Sequence, residues 1–249
     1  TLGPATNTKE TLTELASSGV NVFRINFSHA DYEDVKKRVK QIREINHENG
    51  YNVAVLADLQ GPKLRVGVME EGIMLKDGDE FIFTTEECVG NNEKAYMTYQ
   101  NFPRDVKPGE QILVDDGKLL FEVISTDKKL KVVTKVIVGG VLSSKKGVNL
   151  PNTNISLPAL TEKDKKDAIF ALSLDVDWLA LSFVRTPEDL RILRDLIAQN
   201  SKYRVPVIAK IEKPEAVENI DSLIPYCDGL MVARGDLGVE IPMQEVPLI

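Results

Sequence analysis

From Thr1 to Gly61 the hydrophobic positions alternate between two periods. Leu12, Leu15 and Ala16 recur at helical spacing over Thr8–Ser18, with Gly19 as the stop. Val20–Phe27 then reads as a strand. Val35, Val39, Ile42 and Ile45 share one face of a helix predicted over Asp31–Asn46, which Asn49-Gly50 ends, and Val53–Asp58 is the next apolar strand. From Pro62 to about Pro158 no helix-length amphipathic pattern occurs. Short β-branched runs at Ile112–Val114, Leu119–Ile124 and Leu130–Val138 are cut by turn signals at Asp115-Asp116-Gly117, Thr126–Lys129 and Gly139-Gly140. That pattern predicts a small all-β insert. From Leu160 the alternation resumes. Thr161-x-x-Asp164 resembles a capping box before a helix through Leu174, and Trp178–Val184 reads as a strand. Thr186-Pro187 supplies an N-cap and a proline at the first helical position, with Leu190, Leu193 and Ile197 on one face behind it. Val207–Glu212 is a strand, Pro214–Ile224 a helix and Gly229–Asp236 a strand.

Strands separated by helices of this length predict βαβ units and a parallel sheet. The pattern fits a partial (β/α)₈ TIM barrel that lacks its first strand and last units. Residues 1–61 and 159–249 would form the barrel, and residues 62–158 an inserted small β-barrel domain. In that fold the chemistry sits at the carboxyl ends of the strands.

Polar clusters fall at those ends. Arg24, Asn26 and Ser28 alternate with Phe23, Ile25 and Phe27, so they share one face, and Lys210 shares a face with Glu212. Ala233-Arg234-Gly235-Asp236 closes the last strand. Charge on a strand buried on both faces is costly unless it is paired or binds a ligand. Glu212 and Asp236 suit a hard divalent cation such as Mg²⁺, which takes few protein ligands and leaves room for substrate oxygens; solvated strand-end acids are the plainer reading. Lys210 either stabilises charge developing on a transferring phosphoryl or enolate oxygen or forms a structural ion pair with Glu212. The planar fork of Arg24 matches two phosphate oxygens, though an arginine bridging barrel layers would look the same. His29 reads as capping its loop. Lys145-Lys146-Gly147 could reach phosphates from the insert or form a solvated loop.

Composition narrows the partners. Of 249 residues, 43% are hydrophobic and 28% charged, as in ordinary globular proteins. The formal charge of −7 argues against nucleic acid as partner. Cys88 and Cys227 lie far apart, so a disulfide framework is not expected and a reducing, cytoplasmic setting is. No apolar run approaches the ~18–20 residues a membrane span needs. The chain opens at Thr1 without a methionine and stops at Pro247-Leu248-Ile249, so it reads as a piece of a longer protein.

The motifs resemble the pyruvate kinase family. They are Asn21-Val22-Phe23-Arg24-Ile25-Asn26-Phe27-Ser28-His29, Asp58-x-x-Gly61-Pro62, Lys145-Lys146-Gly147-Val148-Asn149-Leu150-Pro151, Lys210-Ile211-Glu212 and Met231-Val232-Ala233-Arg234-Gly235-Asp236-Leu237-Gly238, in that order. The resemblance runs the whole chain, insert included. It implies transfer of a phosphoryl group from phosphoenolpyruvate to ADP, giving pyruvate and ATP, with the insert as a mobile lid. It implies that Glu212 and Asp236 hold Mg²⁺ (or Mn²⁺) and that Lys210 stabilises the transition state. By the same resemblance Arg24 clamps the phosphate, with Asn26, Arg65 and Lys146 toward the nucleotide. Backbone N–H groups around Gly235 and Asp236 would cradle the substrate carboxylate. A homotetramer is implied for the full-length protein, and a threonine near the proton-transfer step falls outside this chain.

One departure matters. Many family members read Asp-Thr-Lys-Gly-Pro-Glu and hold K⁺ with the equivalents of Asn26, Ser28, Asp58 and a nearby carbonyl, placed here at Leu59. This chain reads Asp58-Leu59-Gln60-Gly61-Pro62-Lys63. The Lys63 ammonium is a tethered monovalent cation, so K⁺ is not expected to be required; a surface lysine at the hinge of the lid is the plainer reading. Two rivals stand beside this reading. The Ile211-Glu212 tail also resembles metal-dependent barrel aldolases, which lack a β lid and the Arg24–Ser28 strand. An inert homologue is disfavoured because every named site residue is intact. A barrel lacking strands leaves open edges, so this piece alone need not be active.

Overall fold

A computed structural model describes residues 1–249, the side chain of His29 excepted. The chain divides into two compact units, Thr1–Pro62 with Pro158–Val232, and Lys63–Leu157 with Ala233–Ile249.

The first unit is built on five parallel strands in chain order: Val22–Asn26, Ala54–Asp58, Trp178–Leu181, Val207–Ile211 and Gly229–Val232. This is the partial α/β barrel that the hydrophobic pattern predicts. The helices between them start and stop on their own side chains. Thr8 caps Lys9–Ser17, and Asp31 accepts from the Glu33 and Asp34 amides at 3.0 and 3.1 Å to open Tyr32–Asn49. Gly50 ends that helix at φ 67°, a left-handed cap that glycine adopts without steric cost. Reciprocal capping boxes open Glu162–Ser173 (Thr161 with Asp164) and Pro187–Asn200 (Thr186 with Asp189). Phe23, Ile25, Val55, Ala57, Leu179, Leu181, Val207 and Ala209 face the helices and form one buried cluster with Val35, Val39, Ile42, Leu190 and Leu193.

Two predicted elements differ. The helix expected over Pro214–Ile224 breaks at Asn219 into Pro214–Glu218 and Ile220–Leu223, followed by a 3-10 turn at Ile224–Tyr226. The Asn219 amide side chain donates to the Arg185 carbonyl at 3.0 Å, a tie that helical periodicity cannot reveal. The last strand, expected to run to Asp236, stops at Val232, and Arg234–Glu240 is a helix with Asp236 in its first turn. An acidic residue is favoured there by the helix dipole. Asp236 is therefore a helix-start residue and not a strand-end one.

The second unit holds a six-stranded sheet in the order Val148–Asn149, Gln111–Val114, Leu119–Thr126, Lys131–Val138, Glu80–Thr84, Lys94–Tyr96, and a small ribbon of Met74–Leu75 with Gly140–Val141. Its core is separate from the first, centred on Phe81, Phe83, Phe102 and Phe121. Asp115, Asp116 and Gly117, at φ 54°, 56° and 83°, make the hairpin turn the sequence signals there. In the same unit the Asn149 side-chain amide donates to Glu240 Oε1 at 2.7 Å. Among the described residues no helix is long and apolar enough to cross a membrane.

Candidate active site

Strand register brings the charged residues of the first unit together. Arg24 lies opposite Leu56, Asn26 opposite Asp58, and Asp58 opposite Ala180. Leu181 lies opposite Ala209, so the next residues along, Ser182 and Lys210, meet just past the third strand. Asp58 and Glu212 are each 1% exposed and Lys210 is 8% exposed.

The Asp58 carboxylate accepts from Arg24 Nε at 2.6 Å, and a second Arg24 nitrogen lies 2.5 Å from the same Oδ2. Its other oxygen, Oδ1, is 3.3 Å from Lys210 Nζ but is buried with no hydrogen bond. The Lys210 ammonium donates to Ser182 Oγ at 2.7 Å and lies 2.9 Å from Glu212 Oε1. Glu212 Oε2 accepts the Phe183 backbone N–H at 2.8 Å. Two cations, Arg24 and Lys210, thus face two carboxylates, Asp58 and Glu212. At this burial such a balance avoids the several kcal/mol that an unpaired charge costs. The ion pair between Lys210 and Glu212 is real, and a chemical role for Lys210 is compatible with it.

At the end of the first strand Asn26 Oδ1 accepts the Ser28 amide at 2.9 Å. The segment is held from behind, because Lys163 Nζ donates to the Phe27 carbonyl at 2.8 Å and to Asp167 at 2.6 Å. Tyr32 donates to the same Asp167 at 2.7 Å, and its phenol is pushed up to about 12, first by burial and then by that carboxylate. The His29 side chain, read from sequence as a loop cap, lies outside the described residues. Leu59 is buried, and its carbonyl accepts the Ser182 hydroxyl at 2.7 Å.

The second unit carries the remaining candidates. Arg65 pairs with Gly147 in an isolated antiparallel bridge and donates a guanidinium N–H to the Lys145 carbonyl at 2.7 Å, which brings it beside the Lys145-Lys146-Gly147 loop. Lys146 Nζ lies 2.9 Å from Asp115 Oδ1. The Asp115 carboxyl is held below the usual carboxylate range by Lys146 first and Lys118 next. Lys63 is exposed. Gly235 and Asp236 lie exposed in the first turn of the Arg234–Glu240 helix. A Cβ at Gly235 would meet no heavy atom within 4 Å, so packing does not demand glycine there.

Sequence reasoning missed Ser182, Phe183 and Asp115. Ser182 carries the same signal that marks Arg24 and Lys210, a polar residue at the end of an apolar strand, and was legible by that rule. Phe183 acts through its backbone, and Asp115 reads from sequence only as part of a turn.

A parallel β/α sheet whose charged side chains converge past the carboxyl ends of its strands defines a member of the α/β-barrel class, with its candidate site where that fold carries its chemistry. The model of the pyruvate kinase barrel domain matches residues 1–249. The chain is 45% identical over 251 residues to the pyruvate kinase of Bacillus licheniformis, covering all of this chain and 43% of that protein. It is 45% identical to that of Corynebacterium efficiens and 44% to that of Mycobacterium tuberculosis, each over 250 residues, all of this chain and 52% of the relative. The chain belongs to the pyruvate kinase family and spans about half the length of the curated relatives it matches.

Proposed function

We propose that the whole protein transfers the phosphoryl group of phosphoenolpyruvate to ADP. The phosphorus–oxygen bond to the enol oxygen breaks as one to the terminal ADP phosphate oxygen forms. The enolate left behind takes a proton to become pyruvate. The observation that carries this reading is the Lys210 ammonium, buried between Glu212, Ser182 and Asp58. An ammonium held in a dry site stabilises negative charge developing beside it without reorganising. Arg24, with Nε and a second nitrogen on Asp58, offers its remaining guanidinium N–H groups to the phosphate, while Arg65 and Lys146 act toward the nucleotide. Backbone N–H groups at Gly235 and Asp236 bind the substrate carboxylate.

Glu212 and Asp236 would hold Mg²⁺, or Mn²⁺. Among the described residues no group of three or more His, Cys, Asp and Glu side chains is gathered. The remaining ligands would come from substrate and water, as magnesium prefers. A carboxylate offers about four lone-pair sites, so Glu212 can hold Lys210 and the Phe183 N–H and still face a cation. When bound, the metal neutralises charge on the shared oxygens.

The reaction needs no K⁺ in this reading. Of the oxygens that would hold it, Asn26 Oδ1 accepts the Ser28 amide, the Leu59 carbonyl accepts the Ser182 hydroxyl, and Asp58 Oδ2 accepts Arg24. The Lys63 ammonium, on an exposed side chain five residues after Asp58, supplies a tethered cation instead. Pyruvate formation by the full-length protein with Mg²⁺ in potassium-free buffer tests both parts. Rapid turnover is expected; a rate raised more than ~10-fold by KCl, worth about 1.4 kcal/mol, overturns the role of Lys63. No turnover with or without KCl overturns the kinase reading.

A further inference from the structure

We infer that the Ser182-Phe183 dipeptide is the positioning element of the Lys210–Glu212 pair, an assignment that rests on the phosphotransferase reading above. Two consecutive residues engage both partners at once. Ser182 Oγ accepts from the Lys210 ammonium at 2.7 Å, and the Phe183 N–H donates to Glu212 Oε2 at 2.8 Å. The direction of the first bond is fixed, because an ammonium can only donate. The hydroxyl proton of Ser182 is committed to the Leu59 carbonyl at 2.7 Å, so the oxygen turns its lone pairs toward Lys210. Leu59 directly follows Asp58, and its own N–H donates to the Ala180 carbonyl at 3.0 Å. The hydroxyl thus ties the ammonium to the frame of the second and third strands.

The dipeptide is braced. Ser182 is 2% exposed, and Phe183 stands at φ 55°, a left-handed conformation that a phenylalanine adopts only when its surroundings impose it. Gly61 supplies part of that constraint. A Cβ there would lie 2.7 Å from Phe183 Cδ2 and 3.1 Å from Ser182 Cβ, and the Gly61 N–H is itself held by buried Asp164 at 3.1 Å.

What the brace decides is where Lys210 points. Asp58 Oδ1 lies 3.3 Å from Nζ without a hydrogen bond, a second anion ready to take the ammonium. With Ser182 in place the side chain stays on Glu212; without it, the flexible lysine stem lets Nζ move toward Asp58. Ser182 touches no reacting atom in this account and acts only through Lys210.

The test uses the full-length protein as wild type, S182A and S182T, with S182C added because an extra methyl at a buried site can be costly. One readout is kcat and KM for phosphoenolpyruvate with Mg²⁺. The other needs no activity: the rate at which Lys210 is acetylated by an amine-directed reagent, followed by mass spectrometry. S182A is expected to lower kcat about 10-fold or more, the scale of one hydrogen bond to a charged group, with KM changed far less. Lys210 acetylation should accelerate several-fold in S182A. S182T should return both toward wild type, and S182C, a weak acceptor, should fall between. Wild-type kcat and wild-type acetylation in S182A, with only the melting temperature lowered, overturn the inference. A wild-type protein without turnover whose Lys210 acetylation still depends on Ser182 overturns the phosphotransferase reading and leaves the positioning role standing.

Discussion

Replacing Lys210 with methionine keeps most of the aliphatic stem and deletes the ammonium. In the wild type that ammonium is 2.7 Å from Ser182 Oγ, 2.9 Å from Glu212 Oε1 and 3.3 Å from Asp58 Oδ1, and the side chain is 9% exposed. Its loss leaves two carboxylates, each 1% exposed, without the ammonium that both face. Breaking a buried pair from one side costs about 3–5 kcal/mol, and that range is the expected loss in denaturant unfolding of the barrel unit. Turnover should fall by ~10²–10³, the scale of removing one preorganised donor to developing charge. Mn²⁺ binding should survive, because the Phe183 N–H still orients Glu212. The assays are kcat for pyruvate formation, guanidinium unfolding and Mn²⁺ paramagnetic resonance, all on the full-length protein. Near-normal turnover would refute the role given to Lys210. A stability loss under ~1 kcal/mol, typical of exposed pairs, would refute the account of the buried network.

Three other outcomes are expected. G61A meets both a positive φ of 72° and a Cβ contact of 2.7 Å, so it should lose about 2–4 kcal/mol in chemical unfolding; a loss under ~0.5 kcal/mol would contradict the brace around Phe183. Tyr32 and Tyr99 each have a phenol pushed up to about 12, by burial first and then by Asp167 and Asp105 respectively. The folded state therefore holds these protons more tightly than the unfolded chain, whose tyrosines ionise near ~10. That stability is fully present below about pH 10 and is lost as pH rises toward about 12, and phenolate absorbance compared with Y32F and Y99F should show these two phenols ionising only as pH nears about 12. Either of the two ionising near pH 10 in the folded protein would argue against it. Asp115 is depressed by Lys146 and then Lys118, so its contribution is present above about pH 4 and lost as pH falls further; D115N should flatten the acid limb of unfolding for the β unit, and an unchanged limb would discount the pairing.

The elements were legible where their signals are local. Thr161 with Asp164, Thr186 with Pro187, and Gly50 after Asn49 mark helix ends through bonds made within a few residues, and the structure has those ends. The five parallel strands follow from apolar runs that admit few polar residues, which is also why Arg24, Lys210 and Glu212 stood out. The end of the last strand was not legible. Gly229–Ala233 is apolar under either reading, and the switch to helix at Arg234 rests on backbone angles that the pattern does not encode.

By itself the sequence determined the periods, the caps, the family and the residues able to carry charge at the strand ends. The tertiary structure decided who partners whom. Asp58 takes Arg24 and flanks Lys210, the Ser182 hydroxyl orients the ammonium, and a strained Phe183 amide holds Glu212. These contacts join residues at least 28 positions apart. They depend on strand register and on a backbone conformation imposed by packing against Gly61, and neither leaves a periodic trace in the chain.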